Sequence, residues 1–258
     1  MSKIKNAFKN GKAFIGFIAA GDPNIEKTID FIKVMEKSGA DLIELGIPFS
    51  DPAADGPIIQ QASIRALKTG ITPDKIFNML ESIKDEISIP IVLLTYLNPV
   101  FNYGYDKFFA KCAKAGIEGV IIPDLPYEEC KEVTEFSKKY SVALVQFIAP
   151  TSDNRIGMIA KDAEGFIYCV SSLGVTGIQK DIKTDLKTIV DIIRGVSDVP
   201  VAVGFGIATP EQAKEIAACA DGVIVGSAIV KIIAEYGTEA DEHIAKYINS
   251  MKQAISDC

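Results

Sequence analysis

A single histidine, no Cys-x-x-Cys pair, no long apolar run and no basic surplus set the first bounds on this 258-residue chain. A His-based triad or a multi-His metal site has only His243 to be built around. His243 stands beside Ile244, Tyr247, Ile248, Met251 and Ile255, which recur at helical spacing, so it reads as a surface histidine on an amphipathic helix. No metal site is expected. Cys112, Cys130, Cys169, Cys219 and Cys258 are odd in number and widely spaced, as reduced structural thiols are in a cytosol. No stretch of about 18 apolar residues suggests a membrane span, and the N-terminal MSKIKNAFKNGKAF lacks the apolar core of a signal peptide. A cytoplasmic location follows. The net charge of −7 and pI near 4.9 argue against broad binding to nucleic acid or anionic membranes. An anionic ligand has to be held locally.

Short apolar runs alternate with amphipathic stretches throughout, the pattern of repeated βα units around a parallel sheet. Eight strands are predicted, at Ala13–Ala19, Asp41–Gly46, Pro90–Thr95, Gly119–Ile122, Ala143–Ile148, Phe166–Val170, Val199–Gly204 and Gly222–Gly226, with eight helices between and after them. No G-x-G-x-x-G follows the first strand, which disfavours an open dinucleotide-binding sheet. The preferred fold is a single-domain α/β (βα)8 barrel spanning residues 1–258. Asp22-Pro23 is read as the cap and first residue of the first helix, with Gly39 as its stop. Thr209-Pro210-Glu211-Gln212 is read as a capping box.

In the second strand, alternation puts Ile43 and Leu45 on one face and Leu42 with Glu44 on the other. If the first pair meets the helices, Glu44 points into the barrel, where an unhydrated carboxylate costs several kcal/mol unless compensated, or has its pKa raised. General acid–base work would justify it, and so would an internal hydrogen-bond network. The loop that follows, Pro48-Phe49-Ser50-Asp51-Pro52-Ala53-Ala54-Asp55-Gly56-Pro57, is stiffened by three prolines. It lies where barrel active sites are built and can hold Asp55 across the mouth from Glu44. Asp51 is read as a turn-former bonding its own backbone.

Three glycine-bearing segments, Gly174-Val175-Thr176-Gly177, Gly204-Phe205-Gly206 and Gly226-Ser227, follow the last three strands. Their backbone N–H groups and a helix starting at Ser227 suit a phosphate, although Gly204 taken alone reads as a plain turn. Gly174 to about Thr184 reads as a lid or as an ordinary surface loop. Tyr96 and Tyr168 either line an aromatic-binding pocket or fill core. No proposed strand carries a lysine near its C-terminal end, which argues against imine chemistry.

The run from Ile43 to Pro57 resembles the signature of the tryptophan synthase alpha subunit family. So do Ala20-Gly21-Asp22-Pro23, Tyr96-Leu97-Asn98-Pro99, Pro123-Asp124-Leu125-Pro126, Leu173-Gly174-Val175-Thr176-Gly177 and Gly226-Ser227-Ala228-Ile229-Val230-Lys231. The likeness runs from Phe14 through the final helix. It implies a lyase that cleaves indole-3-glycerol phosphate to indole and glyceraldehyde 3-phosphate by retro-aldol chemistry. By the same resemblance Glu44 is the acid–base residue, Asp55 accepts a hydrogen bond from the indole N–H, and Thr176 closes over Asp55. Phe17, Tyr96 and Tyr168 match pocket positions, and Gly177, Gly206, Gly226 and Ser227 match the phosphate site. The resemblance further implies an α2β2 assembly, with pyridoxal phosphate in the beta subunit and no cofactor in this chain. Pro52, Asn98, Phe101, Asn102 and Pro126 match the contact surface. Without its partner the chain is expected to be a monomer.

Overall fold

The structure, a computed structural model, describes residues 3–150, 153–170, 182–204 and 206–256. Eight parallel strands close into a barrel in sequence order: β1 (Ala13–Ala19), β2 (Leu42–Gly46), β3 (Ile91–Leu94), β4 (Gly119–Ile121), β5 (Ala143–Ile148), β6 (Ile167–Val170), β7 (Val201–Gly204) and β8 (Gly222–Val225). β1 pairs with both β2 and β8, which leaves no open edge. Each strand lies within one or two residues of its predicted span at either end.

The strands sort their side chains as the period of two requires. Ile43 and Leu45 join the outer core beneath the helices, whereas Leu42 packs inside the barrel with Ile15, Val92, Ile121 and Ala202. The floor of the barrel is stoppered by α1 (Lys3–Asn6), whose fully buried Ile4 packs into this inner cluster, and by Phe8 against Phe166.

The expectation of eight helices is corrected to twelve among the described residues. Besides α1, three βα connections are divided. The β2–β3 connection breaks into α3 (Pro57–Lys68) and α4 (Pro73–Ile83) at Gly70, which has φ +72°, and Thr72 caps the restart by accepting from the Lys75 N–H. The β3–β4 connection breaks at Gly104, φ +89°, between α5 (Leu97–Tyr103) and α6 (Tyr105–Lys114). After β8, α11 (Ser227–Tyr236) stops at Gly237 and α12 (Asp241–Ser256) closes the chain. The other units carry one helix each: α2 (Ile25–Lys37), α7 (Lys131–Tyr140), α8 (Asp153–Lys161), α9 (Ile182–Arg194) and α10 (Pro210–Ala217).

Local signals resolve in both directions. The capping box of α10 is present, with Thr209 accepting from the Gln212 N–H and the Gln212 side chain accepting from Thr209. Gly39 follows the α2 cap with φ +99°. Asp22, however, does not cap α2. Asn24 does, accepting from the Lys27 N–H at 2.8 Å, while the buried Asp22 carboxylate is taken by Arg65 of α3.

Candidate active site

β2 delivers Glu44 to the inside of the barrel, between Phe17 of β1 and Val92 of β3 in register. The side chain is 1% exposed, and its Oε2 is buried with no hydrogen-bond partner. A carboxylate that loses water and gains no donor is destabilised in its charged form. Desolvation, joined by the nearby Asp55 charge, pushes its pKa up to about 8. At neutral pH Glu44 therefore holds a proton that it can give away.

Asp55 reaches the same end of the barrel from the loop after β2. The Tyr96 hydroxyl, just beyond β3, donates to Asp55 Oδ1 at 2.7 Å and accepts from the Ala54 N–H at 3.1 Å. Gln60 of α3 donates to the Asp55 carbonyl at 2.8 Å. Burial raises the Asp55 pKa, and the Tyr96 hydrogen bond works against that rise. Phe49 packs on the Tyr96 ring with centroids 5.6 Å apart, so the loop rests on an aromatic pair as well as on its prolines. Asp51 is exposed and accepts from the Ser50 hydroxyl, where a bond to its own backbone was expected.

Tyr168 of β6 faces inward with Phe166 and Val170, and its hydroxyl is held well above the usual phenol range by burial and by the Glu44 and Asp55 charges. Its ring stacks on Phe147 of β5, with centroids 4.8 Å apart. Phe147 was not singled out from the sequence, and the structure places its ring against Tyr168. Its inward position on β5 was the available signal, but the facing ring belongs to the next strand. Gly204 also gains a reason beyond a plain turn: a Cβ there would lie 2.5 Å from the Tyr168 hydroxyl. Because Tyr168 is buried and stacked, it has little room to yield. Gly204→Ala is expected to cost about 1–3 kcal/mol through overpacking, measured by urea denaturation, and to displace the Tyr168 ring.

Phe17 lies under the mouth, where Gly46 makes room for it: a Cβ at Gly46 would be 2.7 Å from the ring. Gly226 and Ser227 begin α11, a ten-residue helix, and Gly206 has φ +76° with open space where a Cβ would be. Thr176, Gly177 and the predicted lid from Gly174 lie outside the described residues, apart from its last residues, which enter α9. So does Phe205. Of the predicted contact residues, Asn98, Phe101, Asn102 and Pro126 are exposed and Pro52 is half-buried. Phe101, at 64% exposure, is a large apolar side chain in water on α5.

His243 sits on the surface of α12, stacked on Tyr236, away from these carboxylates. Cys112 and Cys169 are buried free thiols, and burial pushes Cys169 up to about 12, which suits inert core residues. Cys130 and Cys219 are half-buried and free, and Cys258 lies outside the described residues. Among the described residues, no group of three or more His, Cys, Asp or Glu side chains is placed to hold a metal ion, and no helix is long and apolar enough to cross a membrane.

Comparison with known proteins gives a consistent result. The family model for the tryptophan synthase alpha chain matches residues 3–256. The tryptophan synthase alpha chain of Lacticaseibacillus casei is 48% identical over 255 residues, covering 99% of this chain and 96% of that one. Among solved structures, tryptophan synthase subunit alpha of Legionella pneumophila superposes with a TM-score of 0.91 at 37% identity, over the full length of both chains. A chain from the tryptophan synthase a2b2 complex of Pyrococcus furiosus superposes with a TM-score of 0.85 at 37% identity, covering 94% of this chain and 98% of that one.

Proposed function

Since the chain belongs to the tryptophan synthase alpha chain family, whose reaction is the cleavage of indole-3-glycerol phosphate to indole and glyceraldehyde 3-phosphate in tryptophan biosynthesis, we propose that Glu44 and Asp55 are the groups with which it performs that cleavage. The observation that carries this reading is the pairing of a fully buried, unpartnered Glu44 with an Asp55 that a tyrosine hydroxyl holds on a stiff loop. Two carboxylates in such different settings divide the work. Glu44, protonated at rest, gives its proton to indole C3. The carboxylate left behind takes the proton of the side-chain hydroxyl, and the carbon–carbon bond breaks as the aldehyde carbonyl forms. One proton is given and one received, so Glu44 returns to its starting state. Asp55 accepts from the indole N–H and stabilises the positive charge that develops on the ring.

In this reading Phe17, Tyr96 and Tyr168, with Phe147 behind Tyr168, form the apolar slot for indole. The start of α11 at Gly226 and Ser227, together with Gly206 and Gly177, holds the phosphate through backbone N–H groups and the positive end of the helix. Thr176 closes over Asp55. The chemistry runs on protons carried by side chains, so the chain uses no cofactor or metal of its own. Its setting is the cytoplasm, and the chain works as one barrel domain.

The partner is a tryptophan synthase beta subunit, which uses pyridoxal phosphate, in an α2β2 assembly. The Pyrococcus furiosus chain, 37% identical, comes from such a complex. The exposed Phe101, on the same helix as the polar Asn98 and Asn102, gives this chain an apolar anchor beside polar side chains, and Pro52 and Pro126 are the other contact positions in this reading. The test is indole release from indole-3-glycerol phosphate, with and without a matching beta subunit. Weak release that beta stimulates is the expected result. Phe101→Asp is expected to weaken the stimulation at least tenfold in half-saturating beta concentration and to leave the unstimulated rate unchanged. A rate indifferent to beta would sink the partnership.

The Tyr96–Asp55 bond offers a second check. Removing the hydroxyl in Tyr96→Phe takes away the contact that lowers the Asp55 pKa. The acid limb of the kcat–pH profile is then expected to move to higher pH, while the alkaline limb stays in place.

A further inference from the structure

The loop carrying Asp55 runs directly into α3, whose first turn packs the half-buried Ile58 and Ile59 against Phe17, Ala19 and Val230. The buried residues of α3 are Ala62, Ser63 and Ala66, all small, while Ile64 and Leu67 face water. Its start has no side-chain cap, since Gly56 occupies the cap position. One polar anchor compensates. Arg65 donates from Nε to Asp22 Oδ1 at 2.9 Å and from Nη2 to Asp22 Oδ2 at 2.7 Å, a two-pronged geometry that fixes orientation as well as distance. Asp22 is 1% exposed, just past the end of β1. Its own loop is stitched down: Asp22 N–H donates to the Ala19 carbonyl, Gly21 N–H donates to the Thr28 hydroxyl, and that hydroxyl donates to the Asn24 carbonyl. Gly21 also lies close under Ile71, just beyond the far end of α3, where a Cβ would come within 3.1 Å of that side chain.

We propose that the Asp22–Arg65 ion pair is a positioning device for Asp55, tying the helix that begins two residues after Asp55 to the rigid end of β1. Arg65 lies eight residues beyond Pro57, roughly 12 Å along the helix axis, and its fork is spent on Asp22 rather than on Asp55. It acts through α3. The Gln60 bond to the Asp55 carbonyl transmits the helix position at one end of the residue, and the Tyr96 hydroxyl receives the carboxylate at the other. The proposal rests on the reading of Asp55 as a working carboxylate.

Arg65→Met alone strands the buried Asp22 charge, so the informative variant is the neutral pair Asp22→Asn/Arg65→Met, with Arg65→Lys as a charge-retaining control that lacks the fork. Indole release is measured in the complex with beta, at a temperature where circular dichroism shows each variant folded. The neutral pair is expected to lower kcat roughly 10- to 100-fold with a smaller change in KM, and Arg65→Lys to fall between it and wild type. Adding Tyr96→Phe is expected to cost less than the product of the separate losses, because both changes release the same carboxylate. A folded neutral pair with wild-type kcat, a change confined to KM, or losses that multiply with Tyr96→Phe would each overturn the proposal. Asp55→Asn in the same assay separates the two readings. Full activity there removes Asp55 from the chemistry, whereas loss of activity there beside an active neutral pair removes only the positioning role.

Discussion

Replacing Glu44 with glutamine is expected to reduce indole release from indole-3-glycerol phosphate by about 10²- to 10⁴-fold, the range typical of a lost general acid–base group. The substitution conserves shape and removes only the ability to donate and recover a proton. Because Glu44 Oε2 has no hydrogen-bond partner, the exchange breaks no bond at that oxygen, and the pocket keeps its form. The loss is therefore expected in kcat, with KM for indole-3-glycerol phosphate little changed. Asp55→Asn is expected to fall similarly, since it weakens the acceptor facing the indole N–H. Steady-state kinetics in the presence of beta decide the matter: a Glu44→Gln enzyme within a few-fold of wild type would exclude Glu44 as the proton carrier.

The same substitution is expected to stabilise the fold, increasingly so as pH rises above about 4.5. Glu44 titrates near 8 in the folded chain and near 4.5 in the unfolded one. Between those values the unfolded chain has released the proton and the folded chain still holds it, so the unfolded state binds fewer protons and stability falls as pH rises. Below about pH 4.5 both states are protonated and Glu44 contributes no pH-dependent penalty. Above about 8 both are ionised and the penalty is complete, on the order of 5 kcal/mol. Glutamine carries no titrating proton, and its buried N–H resembles the buried O–H of the neutral acid. Urea denaturation of the two proteins is thus expected to nearly coincide at pH 5 and to separate progressively to pH 8.5, with Glu44→Gln the more stable. Parallel curves across that range would show that Glu44 is not held above its ordinary pKa.

The barrel was legible because its strands announce themselves locally. A run such as Ile91-Val92-Leu93-Leu94 needs no partner to be recognised, and the alternation in Leu42-Ile43-Glu44-Leu45 already assigns faces. The inward Glu44, the stiff loop with Asp55 and the capping box at Thr209 were readable for the same reason, since each is written within about ten consecutive residues. Features that depend on remote residues were not. Asp22 was read as a cap because Pro23 follows it, but its partner Arg65 lies 43 residues away and outcompetes the local role. Phe147 meets Tyr168 across a strand pair, and the demand on Gly204 comes from a hydroxyl on another strand. The divided connections were missed because the breaks at Gly70 and Gly104 interrupt amphipathic stretches that read as continuous.

The stopper formed by Ile4 and Phe8 at the floor of the barrel has a consequence for the timing of events at the other end. Among the described residues, a vessel stoppered below is left to open at its mouth. In the proposed reaction, arriving substrate and both departing products would cross the same rim, where Asp55, Tyr96 and Gly206 stand. Traffic through a single opening is serial: each cycle has to empty the chamber before it refills. In the proposed assembly, a beta subunit seated on that rim would be gatekeeper of the whole cycle without touching the floor, since release of indole to water or its transfer onward would pass through the one face it covers.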